Sequence, residues 1–264
     1  MKPVFCLVMM VVLSVLGCKP VKIAVSDELK QNSDEYAVKG RQGLLIKQKL
    51  AFGEFRTSVV KRSWTKGSSM HTGFGFGHPG TYDQTNLFSI DYTHKRQTIF
   101  FSLRDGSQNA SEVYCTSRFN ARDFSLGNNP NSVLNIVLDV LGKGGSSEDN
   151  YYVQIYPALN EKPWQMMIDN KAAQAQPKKY TGVLAKDKQH FYTIKPVTKL
   201  DVGGKTGNML GGSSGFEFFN EKGIPAGAVS LIDNGIVVIG KVSVEERFVL
   251  ANACAALLLQ EHIE

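Results

Sequence analysis

Hydrophobic and polar positions divide the chain into three regimes. Residues 4–16 form an almost unbroken apolar run behind Lys2. Residues 41–240 carry short apolar stretches separated by Gly, Asn, Asp and Pro, the punctuation of strands and turns. Residues 249–259 (VLANACAALLL) are apolar everywhere except Asn252, so no helical phase offers a polar face. A helix apolar all round must be enclosed. At about 1.5 Å per residue this stretch spans about 16 Å, short of the roughly 30 Å of a bilayer core. Ser243 and Glu246 stand in the S-x-x-E relation of a capping box, which predicts a helix over 243–263.

The middle regime predicts about thirteen strands. Segments 44–52 and 55–65 flank Gly53-Glu54 as a hairpin, and 86–93 and 97–103 flank His94-Lys95-Arg96. Segments 112–118, 133–141, 151–156, 164–168, 180–185, 191–196 and 215–219 follow, with 133–141 equally readable as a short helix. The last pair, 226–232 and 236–240, turns at Asn234-Gly235, the strongest hairpin signal in the chain. So many strands must hide their edges, and closing the sheet removes edges altogether; a barrel of about twelve strands is wide enough to hold a helix. The predicted fold class is mainly β: a closed antiparallel barrel around the hydrophobic C-terminal helix. A β-sandwich with that helix as a cover is the alternative.

The tail GFEFFNEKGIPAGAVSLIDNGIVVIGKVSVEERFVLANACAALLLQ resembles the end of the tubby-like superfamily, which includes the phospholipid scramblases and the LURP-one-related proteins. Its closing strands run into an acidic-arginine helix start like Val244-Glu245-Glu246-Arg247. The resemblance implies a twelve-stranded barrel around a C-terminal helix, and a lipid-linked or membrane-proximal binding module. It carries over no site residue, because the family's phosphoinositide and calcium motifs are not found in this sequence.

Residues 1–18 read as a targeting segment. Their end, Val15-Leu16-Gly17-Cys18, resembles the lipobox of a bacterial lipoprotein signal peptide, which implies Cys18 as an acylated first residue and a stable membrane anchor. Lys19 stands where an inner-membrane retention aspartate can occur, which favours the outer membrane. Residues 19–40 are polar and read as a tether, with a first edge strand as the alternative, and 41–264 read as one β-rich domain.

Charge narrows the partners little. Without Lys2 the chain keeps 29 basic against 24 acidic side chains, a mild +5 that suits anionic lipid, an acidic glycan or a plain solvated surface. The export signal argues against nucleic acid, and no cofactor is called for. The basic-aromatic run 47–66 offers Arg56, Arg62 and Trp64 on one strand face and Lys61 on the other, a surface for anionic headgroups or acidic sugars. Phe74, Phe76 and His78 sit in a glycine-aromatic loop that could stack on sugars or dip into a lipid interface. His71 and His78 match no standard zinc spacing. Cys115 and Cys254 are candidates for a disulfide in an oxidising envelope. Gly211-Gly212-Ser213-Ser214-Gly215 is formally G-x-S-x-G, followed by Asp233 and His262, but the strand before and the helix after that a nucleophile elbow needs are missing. Gly203-Gly204-Lys205-Thr206 lacks the first glycine of a P-loop. The leading expectation is a lipid-anchored, non-enzymatic module that binds a lipid, a glycan or an envelope partner. An assembly component of an envelope complex and a serine hydrolase using Ser213 are the alternatives.

Overall fold

A computed structural model describes residues 21–41, 48–65, 96–107, 109–119, 150–157 and 162–260. The N-terminal part gives β1 (Val21–Ile23), α1 (Asp27–Gln31), β2 (Ser33–Ala37), β3 (Ala51–Phe52), β4 (Phe55–Thr57) and β5 (Lys61–Thr65). The middle gives β6 (Arg96–Arg104), β7 (Ala110–Phe119), β8 (Asn150–Tyr156), β9 (Trp164–Asp169), α2 (Asn170–Ala175), β10 (Gly182–Ala185) and β11 (Phe191–Pro196). The remainder gives β12 (Lys199–Val202), β13 (Lys205–Asn208), β14 (Gly215–Asn220), β15 (Pro225–Ser230), β16 (Ile236–Gly240) and α3 (Val244–Leu259).

Among the described residues one antiparallel sheet runs β2-β16-β15-β14-β11-β10-β9-β8-β7-β6-β4-β3, with β5 continuing the place of β4 along β6. It curls into a nearly closed twelve-strand barrel around α3. The first and last strands meet at a single bridge: Lys39 and Ala51 exchange backbone hydrogen bonds of 2.9 and 3.0 Å. The chain can make that bridge because Gly40 follows it at φ +78°, and a Cβ there would overlap the Lys49 carbonyl oxygen. A sheet that meets its own edge leaves few unpaired edge groups.

Period-two alternation fills the interior. Ile99, Cys115, Val153, Met166, Leu184 and Tyr192 occupy successive register positions from β6 to β11, and each is 2 % exposed or less. They share one core with Phe248, Val249, Leu250 and the apolar residues that follow in α3. Among the described residues no helix is long and apolar enough to cross a membrane.

The helix is fastened at both ends and in the middle. Ser243 and Glu246 form the capping box the sequence predicts, and the Tyr192 hydroxyl donates to Glu246 at 3.0 Å. Asn252, fully buried, donates to the Phe248 carbonyl at 2.8 Å and accepts from the Ser111 hydroxyl of β7 at 2.6 Å. The Tyr151 hydroxyl donates to the Ala256 carbonyl at 2.8 Å. At the C-terminal end, two guanidinium groups take carbonyls that the helix leaves unpaired: Arg41 bonds Leu258 O at 2.9 Å and Arg62 bonds Leu259 O at 2.8 Å. Arg247, in the first turn, spans the barrel's seam. It donates to Asp34 (3.3 Å) and to the Tyr36 hydroxyl beside β16, and to Glu54 (2.9 Å) in the β3–β4 hairpin.

Three expectations change here. Residues 21–40, read as part of a polar tether with a first edge strand as the alternative, are folded as that alternative has it: β2 pairs with β16 along its whole length, and β1 with α1 lies on the barrel's outer wall. Their apolar positions, Ile23, Val25 and Leu29, are too few to stand out in sequence, yet they cover Ala228 and Val238. Residues 205–208, outside every predicted strand, form β13 in a small sheet β1-β12-β13. Finally, Cys115 and Cys254 are free thiols rather than a disulfide. Cys254 faces the Ala228 carbonyl of β15, whereas Cys115 lies on β7, six places round a twelve-place wall and so across the barrel. Burial pushes the Cys115 thiol up to about 12. The predicted segments 86–93 and 133–141 lie outside the described residues, as do residues 261–263 of the predicted helix.

Candidate functional site

The predicted basic face does not assemble. The strand from Phe55 is interrupted between Thr57 and Lys61, where the Ser58 hydroxyl accepts the Ser102 N–H at 3.0 Å, so strict alternation fails across the break. Arg56 folds back onto its own hairpin, donating to the Gly53 and Phe55 carbonyls at 2.6 and 2.7 Å. Arg62 turns to the end of α3 and to Gln48 Oε1 at 2.8 Å, a structural post. Trp64 belongs to β5, but its side chain lies outside the described residues, as do Phe74, Phe76, His78 and Cys18.

Lys61 is exposed on the outer wall, and it leads to a site that sequence reading missed. Its ammonium lies over the Phe100 ring, 5.6 Å from the centroid. Phe100 meets Tyr114 at 4.9 Å between centroids, tilted by 45°, and Tyr114 meets Tyr156 edge-on at 5.9 Å. The register accounts for the row. Lys61 pairs with Phe100, Phe100 with Tyr114 and Tyr114 with Gln154, while Tyr156 sits opposite Glu112. All three rings are half-buried on the outward face, alternating with the inward Ile99, Phe101, Val113, Cys115 and Ile155.

Polar groups frame the rings. The Tyr114 hydroxyl donates to Glu112 at 2.8 Å. Burial, with the Glu112 carboxylate adding to it, raises the phenol pKa of both Tyr114 and Tyr156, so both stay neutral donors. The Gln154 amide, next in the row, is buried beside the Tyr152 hydroxyl. The row therefore presents apolar ring surface beside a cation and a carboxylate. That combination suits a ligand with apolar C–H faces and a rim of hydroxyls. The signal in the sequence is Phe100, Tyr114 and Tyr156 standing on the phase of their strands that is polar elsewhere.

The serine motif lies elsewhere and forms no relay with the residues described. Ser213 is tied to Gln174: its N–H donates to Oε1 at 3.0 Å, and its hydroxyl takes Nε2 at 3.4 Å. Asp233 occupies the β15–β16 turn at φ +50°, and its carbonyl accepts Arg41 at 3.0 Å. His262 lies outside the described residues. Among the described residues no cluster of His, Cys, Asp and Glu could hold a metal ion. The chain matches no known protein family, no curated protein and no solved structure.

Proposed function

We propose that this chain is a lipid-anchored cell-envelope protein, a non-enzymatic barrel module that binds saccharide on its outer wall. The observation that carries the reading is the row Lys61, Phe100, Tyr114 and Tyr156 with Glu112 and Gln154 beside it. The rings stand on the strands of the wall rather than at a loop tip, which fits an extended sugar chain better than insertion into a lipid interface. Lys61 at one end favours an acidic sugar. The lipobox-like Val15-Leu16-Gly17-Cys18 supports anchoring through acylated Cys18, outer membrane favoured.

Calorimetry with acidic and neutral envelope oligosaccharides tests the ligand. Tyr114→Ala should weaken binding at least about tenfold, the loss of roughly 1.4 kcal/mol, and Lys61→Glu should abolish any preference for acidic chains. Binding of no saccharide, or equal binding by Tyr114→Ala, would reject the reading. In cells, a fatty-acid label should enter the wild-type chain and not Cys18→Ser.

A further inference from the structure

The outer wall of β15, β16 and β2 is covered by β1, α1 and the small sheet, and a pocket of about 100 Å³ remains between the two layers. It lies on the side of the barrel away from the aromatic row, since β15 is six places from β7. Its floor is aliphatic, from Ile236 and Val238. Its rim carries both signs of charge. The Lys22 ammonium is paired with Glu35, and the Lys30 ammonium lies 3.4 Å from Asp201 Oδ2.

Ser230 also lines this pocket, and it is the telling group. Its outward place on β15 follows from alternation with Val229, which faces the core. The side chain is 1 % exposed and its Oγ has no hydrogen-bond partner. A buried hydroxyl without a partner is unfavourable, and native folds keep few of them unless something bonds there. The Asp201 carboxylate is organised too: the Gly204 N–H holds Oδ1 at 2.7 Å, leaving Oδ2 toward Lys30.

We propose that this pocket binds a small zwitterion, a free α-amino acid with a short aliphatic or hydroxyl side chain. Its carboxylate meets the Lys22 and Lys30 ammonium groups and the Ser230 hydroxyl. Its ammonium meets Glu35 and Asp201, and its side chain lies on Ile236 and Val238. Each ion pair in the rim has spare capacity, because an ammonium carries three donors and a carboxylate accepts about four bonds. With Asp27 also in the lining, two ammonium groups stand against three carboxylates, so a lone anion would face the carboxylates, whereas a ligand with both charges meets both sets. At about 100 Å³ the pocket is smaller than the about 150 Å³ that accepts a benzene ring, which excludes aromatic amino acids, and its open rim leaves room for the charged groups of a short one.

Thermal unfolding of the full chain with alanine, serine and valine tests this. At about ten times its dissociation constant, the right zwitterion should raise Tm by about 3–6 °C. Propionate and propylamine, each with a single charge, should not, and phenylalanine should be inert. Ser230→Ala should weaken binding about tenfold while leaving the free chain as stable or more so. Lys30→Gln, on an ammonium largely in water, should weaken it without unfolding the protein. A shift equal for propionate and alanine, binding untouched by either substitution, or a pocket that takes only water would each overturn the proposal. None of these results depends on saccharide binding at the aromatic row.

Discussion

Replacing Gly40 by alanine strikes the place where the barrel meets itself. Gly204→Ala is the matched control: Gly204 also has positive φ, +90°, but nothing lies within 4 Å of where its Cβ would stand. Both variants carry the cost of an L-residue in the left-handed region, about 1–2 kcal/mol. Reduced freedom of the unfolded chain returns about 0.4–1 kcal/mol. The control should therefore lose about 1 kcal/mol. At Gly40 the new methyl must also push away the Lys49 carbonyl, which is backbone and cannot swing aside. That displaces the strand leading into Ala51 and breaks the two Lys39–Ala51 hydrogen bonds, worth about 0.5–1.5 kcal/mol each. The expected loss is about 2–4 kcal/mol, or a Tm drop of roughly 4–16 °C at 2–4 °C per kcal/mol. Urea unfolding gives the free energies, and hydrogen exchange at the Lys39 and Ala51 amides reports the seam itself. A Gly40→Ala cost within about 0.5 kcal/mol of the control, with both amides still protected, would refute the claim that the bridge closes the barrel.

Two further outcomes are expected from the core and from the N-terminal layer. Ser111→Ala leaves the buried Asn252 Oδ1 without its donor and should cost about 1–3 kcal/mol, but under about 1 kcal/mol in an Asn252→Ala background; a double-mutant cycle with no coupling would contradict the peg. Glu217, buried under α1, accepts from the Ser26 N–H at 3.2 Å and from its hydroxyl, and burial raises its carboxyl pKa above the ordinary range. Since the folded pKa is the higher one, the native state binds this proton more tightly, and the group's contribution to stability declines as pH rises from the ordinary carboxyl pKa through the raised one. Glu217→Gln should flatten that decline, and urea midpoints measured from about pH 4 to 8 that keep the wild-type slope would count against it.

Much of the barrel is legible in sequence because its strands are short, largely apolar runs bounded by turn residues. Segments 191–196 and 236–240 coincide with β11 and β16, and the all-round apolar run coincides with the enclosed α3. What stays hidden has two physical causes. First, β1, β12 and β13 lie on the surface layer and β2 is the barrel's first strand, and in all four burial is one-sided and slight. Their sequences, such as Lys205–Asn208 with every residue exposed, show no alternation to read. Second, the break at 58–60 undoes face assignment beyond it, so Arg56 and Arg62 do not share the surface that simple alternation gives them. The aromatic row needs register across β5, β6, β7 and β8, and pairing between Lys61, Phe100 and Tyr114 is not encoded by spacing along any one strand.

The enclosed helix sets the timetable of folding. The strands of the barrel leave the ribosome before α3, and until its residues arrive the inward rows from Ile99 to Ile239 have nothing to close around. Strand β2 waits longer still in relative terms, since its partner β16 is made some two hundred positions after it, and such distant pairings form slowly. Synthesis from the N-terminus therefore delays closure of the barrel until α3 has been made. Truncation within α3 removes the centre of the molecule, not its edge.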